Sequence, residues 1–363
     1  MKFVVIAFAG VSLMALAACD GFSTRPREDP KAPVPTHPSA TAPPVAEAAL
    51  RPSVSPTAQA VDRAAWTDEA LSAPQLRDVM LRAQVLLDRA HFSPGVIDGQ
   101  DGENVRNAVM AYERANDLPA DGRLDAEVWK HLTSDGGPVL TDYVITAEDV
   151  AGPFVAEIPK DYAEMAKLER LAFTSPLEAL AERFHMDPPL LQALNPGVDF
   201  AKAGTSIVVA VAARGPLPAK VATIEVDKAL KQVRAYDAGG RMLAAYPATV
   251  GSSDLPTPSG EWAVRTIAPA PTWTYDPSRL NFGDRKAGKL TIAAGPNNPV
   301  GSVWIDLTKD TYGIHGAPEP RLVGKTASHG CVRLTNWDAE QLSKAVEKGT
   351  KVVFVGEAAP TRA

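Results

Sequence analysis

The prolines of this chain crowd toward one end, and that decides where folding can start. Nine of the 32 lie between Pro26 and Pro56, in a stretch of alanine, serine and threonine with no aromatic residue from Ser23 to Ala65. Such a stretch buries too little apolar surface to offset its chain entropy, so residues 19–70 are expected to form an unfolded tether. Extended polyproline-like backbone rises about 3.1 Å per residue, giving about fifty residues a reach on the order of 100 Å. Ahead of it, Lys2 precedes an uncharged apolar run from Phe3 to Ala18. That run is shorter than the ~20 residues of a spanning helix and suits an export signal over residues 1–18.

The run ends Leu16-Ala17-Ala18-Cys19, which resembles the lipobox of bacterial lipoproteins. The resemblance implies acylation of Cys19 and a lipid anchor in a membrane, and Asp20 resembles a retention signal that favours the inner membrane over the outer. At 363 residues the chain has room for two or three domains. A net charge of -6 provides no footprint for a polyanion and argues against nucleic acid. Two cysteines, Cys19 and Cys331, in unlike surroundings rule out a disulfide framework.

After the tether, apolar residues recur at helical spacing from Leu76 to Leu87, behind Ser72 and Gln75, which have capping-box spacing. Asp98-Gly99 and Asp121-Gly122 mark turns, and further helical patterns follow each, around Val105 to Tyr112 and Val128 to Leu132. This helix, turn, helix, turn, helix order over residues 71–135 resembles the peptidoglycan-binding domain 1 family. Residues 140–213 read as strand, two helices and strand, from Tyr143-Val144-Ile145 through Leu177 to Leu194 and on to Ile207-Val208-Val209. They resemble a LysM module, a βααβ fold that recognises N-acetylglucosamine polymers, interrupted by an insertion over Glu148 to Ser175.

The last part, 218–357, alternates strand-like segments with glycine- and proline-rich loops and reads as mainly β. It holds Ile314-His315-Gly316 and Ser328-His329-Gly330-Cys331-Val332-Arg333. A thiol titrates near 8.5 when unperturbed, so a nucleophilic cysteine needs an imidazole to take its proton, and His315 or His329 can serve. Gly330 leaves room for a substrate carbonyl to approach backbone amides as an oxyanion hole. The same three side chains could instead hold zinc, with Asp306 behind them. Trp273, Tyr275 and Phe282 form a candidate lid.

These motifs, with "NPVGSVWIDL" and "RLTNWDAEQL", resemble the L,D-transpeptidase (YkuD) catalytic domain. The resemblance implies a β-sandwich with the site under loops, Cys331 as nucleophile and His315 as proton donor and acceptor. Gly316, Ser328, His329, Gly330 and Arg333 then shape the site or bind substrate, with no metal and no cofactor. The whole is thus expected to be a multidomain α+β enzyme of the cell envelope and periplasm. Its partners would be peptidoglycan stem peptides and glycan strands, with an envelope protein as a possible acceptor. Its reaction would be acyl transfer with release of D-alanine. The alternatives are an L,D-carboxypeptidase or amidase using the same residues, and a wall-binding lipoprotein without catalysis.

Overall fold

The structure, a computed structural model, describes residues 53–212, 214–252, 256–279 and 288–357. The export signal, Cys19, most of the tether and Phe282 lie outside the described residues.

Order sets in before residue 70. Helix α1 (Pro56–Arg63) buries Ala58 and Val61, and Asp62 Oδ1 accepts the Val139 amide at 2.8 Å. Two small apolar side chains and one carboxylate thus fold the end of the expected tether, a pattern too sparse to read from composition. Helices α2 (Ala73–Arg89), α3 (Glu103–Ala115) and α4 (Ala126–Leu132) follow as expected. Gln75 Oε1 accepts from the Ser72 amide at 3.0 Å. Two buried polar side chains hold the Asp-Gly turns from inside. Gln84 accepts from the Gly99 amide and Glu113 from the Gly122 amide, each at 2.8 Å.

Strands β1 (Leu140–Val144) and β2 (Ser206–Ala210) pair antiparallel. Between them lie α5 (Ala147–Ala151), α6 (Tyr162–Met165), α7 (Pro176–Arg183) and α8 (Pro188–Leu194), the first two inside the insertion. The two small modules are not separate bodies. Leu81, Leu87 and Ile97 share one core with Leu180, Leu191 and Ile207. Backbone bonds join them as well, from Ile97 N to His185 O at 2.8 Å and from Asp187 N to Ile97 O at 2.9 Å.

The remaining elements are β3 (Thr223–Asp227), β4 (Gln232–Tyr236), β5 (Met242–Pro247), β6 (Gly260–Pro269), β7 (Trp273–Tyr275), β8 (Leu290–Ile292), β9 (Val303–Leu307), β10 (Gly313–His315), β11 (Val332–Arg333), α9 (Asn336–Ala345) and β12 (Lys351–Val355). The expected sandwich is instead one curled eight-stranded sheet, in the order β11-β10-β9-β6-β12-β3-β4-β5. The reason is β6. Its first residues pair with β12, the rest with β9, and its register shifts between Val264 and Thr266. A bulge of that kind bends a strand and turns a sheet a corner without breaking it. Helix α9 puts Ala339, Leu342 and Ala345 into the core with Ile224, Ile305 and Ile314.

The edge strand β5 does not face water along its backbone. Ser93 N donates to Ala245 O at 2.8 Å and Ala245 N to His91 O at 3.0 Å, so the helical module covers an edge that would otherwise invite pairing. Where the three parts meet, the Arg214 guanidinium lies between Asp88 of α2, at 3.5 Å, and Asp338 of α9. His185 Nδ1 reaches Asp88 at 3.0 Å while its ring stacks on Trp337 at 4.8 Å.

Candidate active site

The short strands β10 and β11 run parallel, with Ile314 opposite Val332 and His315 opposite Arg333. Residues paired across a parallel ladder share a face, so His315 and Arg333 lie on one side of the sheet, and Cys331 stands two residues before Arg333, in the bend that leads into β11. The strands end where the chemistry starts. Leu334 N bonds His315 O at 2.8 Å, and Thr335 Oγ1 then caps α9 by accepting from Asp338 N at 3.2 Å.

His315 is 3% exposed and its ring stacks on Trp304 of β9 at 5.2 Å. Nδ1 lies 2.7 Å from Gly316 O. A carbonyl only accepts, so in the neutral ring Nδ1 carries the proton and Nε2 is left with the lone pair. Burial first, then the Arg333 charge, push this imidazole down to about 3, against the pull of the Gly316 and Val300 carbonyls. It is neutral at neutral pH.

Cys331 is a free thiol, half-buried, with Sγ 3.7 Å from Thr311 O. Burial pushes it up, opposed by the Gly313 amide and the Arg333 guanidinium. The pair at rest is therefore thiol and imidazole. Thr311 itself sits at φ 67°, where a β-branched residue is strained. That strain sits at a carbonyl that meets the sulfur.

The turn before Cys331 is held by its own side chain. Ser328 Oγ donates to Cys331 O at 2.6 Å and accepts from Gly330 N at 3.1 Å. Ser328 is thus a brace for the turn, and the Gly330 amide is occupied instead of open to a substrate oxyanion. Gly330 has φ 120° and a Cβ there would meet Tyr312 at 3.0 Å. His329 is exposed, and partial burial of its ring and Arg333 lower it. Asp306 is engaged elsewhere, by Arg265 at 2.7 Å and Trp304 at 3.3 Å. Among the described residues no group of three or more His, Cys, Asp or Glu side chains comes together that could hold a metal ion.

Residues 222–354 match the family model described as the L,D-transpeptidase catalytic domain, and residues 78–132 that of the peptidoglycan binding domain. A YkuD protein of Bacillus licheniformis, named as an L,D-transpeptidase, is 30% identical over 180 residues, 48% of this chain and 91% of that one. The chain belongs to the YkuD family of L,D-transpeptidases.

YbiS of Escherichia coli, which bears the same family name, is 32% identical over 192 residues, and the match spans 51% of this chain and 61% of YbiS. Among solved structures, an L,D-transpeptidase from Mycobacterium smegmatis aligns over 42% of this chain and 64% of its own, at 21% identity and a TM-score of 0.31. The C-terminal domain of the present enzyme is thus an L,D-transpeptidase domain, and both matched models point to peptidoglycan as its partner.

Several residues of this L,D-transpeptidase site carry no sequence signal of their own. Thr257 Oγ1 accepts from Gly251 N at 2.6 Å and donates to Gly330 O at 2.8 Å, tying the cysteine turn to a distant loop. Asn336 Oδ1 accepts from Ser302 N at 3.0 Å. Gly301 and Gly316 pack onto that amide so closely that a Cβ on either would lie 2.2 or 2.1 Å from its oxygen. The candidate lid is anchored at its base. Tyr275 is fully buried, and Tyr162 of the insertion packs on it at 4.9 Å and on Trp273 at 5.1 Å.

Proposed function

We propose that the enzyme uses Cys331 as nucleophile and His315 as acid/base to transfer a peptidoglycan tetrapeptide stem to an amine. The observation that carries this is the His315 ring itself: buried, with Nδ1 against Gly316 O, on a strand paired with the one that directly follows Cys331. On substrate arrival the thiol proton passes to Nε2, and the thiolate attacks the carbonyl at the L-centre of the diamino acid. His315 returns that proton to the amine of the departing D-alanine, leaving a thioester. The side-chain amine of a second stem then attacks. It loses a proton to His315, which passes it to the sulfur as the new amide forms. A protein lysine in that place gives an attached envelope protein, and water gives an L,D-carboxypeptidase.

Arg333, opposite His315 on the paired strand, suits a substrate carboxylate, while the exposed His329 suits a binding role over a chemical one. The helical module would hold glycan strands, with the LysM-like βααβ unit as a second contact. Acylated Cys19 would anchor the chain in a membrane, the inner in preference to the outer, with the tether spanning the periplasm toward the wall. Incubation with tetrapeptide muropeptides, read by mass, tests the chemistry: dimers with loss of D-alanine are expected, tripeptides mean a carboxypeptidase, and unchanged substrate refutes catalysis. Density-gradient fractionation of envelopes tests the anchor, since Cys19→Ala should release active enzyme that the wild type keeps on membranes.

A further inference from the structure

The residues between β1 and β2 reach into the catalytic domain beside His315. Leu171 N donates to Ala294 O and Asn297 N to Leu171 O, each at 3.0 Å. Asn297 Nδ2 donates to Ala172 O at 3.0 Å and to Glu178 Oε1 at 2.8 Å. Met165 and Leu171 form a small core of their own with Ile292 of β8. The segment 293–302 is thereby held from outside its own domain.

That segment ends at Gly301 and Ser302, and there the contact becomes specific. Asn336 Nδ2 donates to Glu182 Oε1 of α7 at 2.7 Å and to Pro296 O at 3.1 Å. The other end of the same amide takes the Ser302 amide and packs against Gly301 and Gly316 with no spare room. Gly316 supplies the carbonyl that holds His315 Nδ1. A rotation of the Asn336 amide cannot be absorbed locally, because two glycines already sit at the limit of approach, so it must move the carbonyl.

We propose that Glu182 is a positioning residue for His315: by holding the Asn336 amide it fixes the Gly301–Gly316 contact and, through the Gly316 carbonyl, the imidazole. The middle module is then part of the catalytic apparatus. This rests on His315 being the acid/base. The charged groups around the two ends are Arg333 of β11 beside His315, and Glu178 of α7 and Glu340 of α9 beside Glu182.

The full chain with Glu182→Leu, Glu182→Gln and His315→Ala is assayed on tetrapeptide muropeptides for kcat, KM and the pH profile of kcat/KM, with melting curves. Misplacing a catalytic group by about 1 Å is worth up to about 10²-fold in rate. Glu182→Leu should therefore lower kcat about 10- to 100-fold with KM little changed, and move the acid limb of the profile upward as the imidazole is loosened from its dry seat. Glu182→Gln keeps an oxygen acceptor and should stay near wild type. Should Glu182→Leu melt below the assay temperature, Glu182→Ala, which lets water reach Asn336, is read in the same way. An unchanged kcat and profile in the folded variant, or a glutamine as damaging as leucine, overturns the proposal. If His315→Ala keeps wild-type turnover, the acid/base reading falls and this proposal with it. If His315→Ala is inactive and Glu182→Leu is not impaired, positioning alone is wrong.

Discussion

Cys331 and His315 are each held by burial in the uncharged form, and their reactivity follows from that. Cys331→Ala should abolish turnover, since no thioester can form, and retained cross-linking in a muropeptide digest would exclude the cysteine mechanism. His315→Ala should lower the rate about 10²- to 10⁴-fold, and His329→Ala much less, because His329 is exposed. Because burial pushes the thiol up, alkylation by iodoacetamide should be slow at pH 7 and rise only above the ordinary thiol range near 8.5. A plateau already reached below pH 8 would show a pre-formed thiolate. His315 also links stability to pH. Its folded value of about 3 lies below the unfolded 6.5, so the unfolded chain binds more protons in that window. Stability is full above about 6.5 and falls as pH drops toward 3. His315→Gln should flatten this decline, compared as urea midpoints at pH 6.5 and pH 4.

The turn that presents Cys331 is built by hydroxyls, and their loss should be felt as stability before chemistry. Thr257→Val keeps the shape of the side chain but leaves the Gly251 amide and the Gly330 carbonyl without their partner. Each buried orphan costs about 1–3 kcal/mol, so a clear drop in melting temperature is expected, with slower acylation because the cysteine turn loosens. An unchanged melting curve would mean water replaces the hydroxyl. The curl of the sheet belongs to the same scale. Alternating apolar residues announced strands, yet nothing in "GEWAVRTIAP" says that one strand will serve two neighbours, because a bulge is defined by its partners.

The three parts of the chain are locked by charge as well as by shared core. Asp88 and Asp338 are both fully buried, with Arg214 between them. Removing one member of such a group strands the others, at about 3–5 kcal/mol. Arg214→Met should therefore destabilise the whole described region by about that amount. Wild-type calorimetry should show one transition for the helical, middle and catalytic parts together, and separate peaks would refute the lock. Each member of this cluster, read alone in the sequence, is an ordinary surface-type residue, and only the folded chain brings residues from 88, 185, 214 and 338 into one place.

By itself the sequence determined the order of the parts, the three helices with their Asp-Gly turns, the strand-helix-helix-strand unit and the motifs that mark the L,D-transpeptidase domain. Those features are local: capping spacing, helical periodicity and the His-Gly and Ser-His-Gly-Cys motifs need no distant partner to be recognised. The tertiary structure alone decided that Ser328 braces a turn, that Asp306 belongs to Arg265, that the sheet is continuous and that the tether folds from residue 56. It also showed the insertion, which reads as an interruption between strand and helix, packed through Met165 and Leu171 against Ile292 and bonded to the 294–297 segment of the catalytic domain. The reason is common to all of these. Burial and hydrogen bonding across long sequence separations set a side chain's role, and neither quantity exists until the chain has closed on itself.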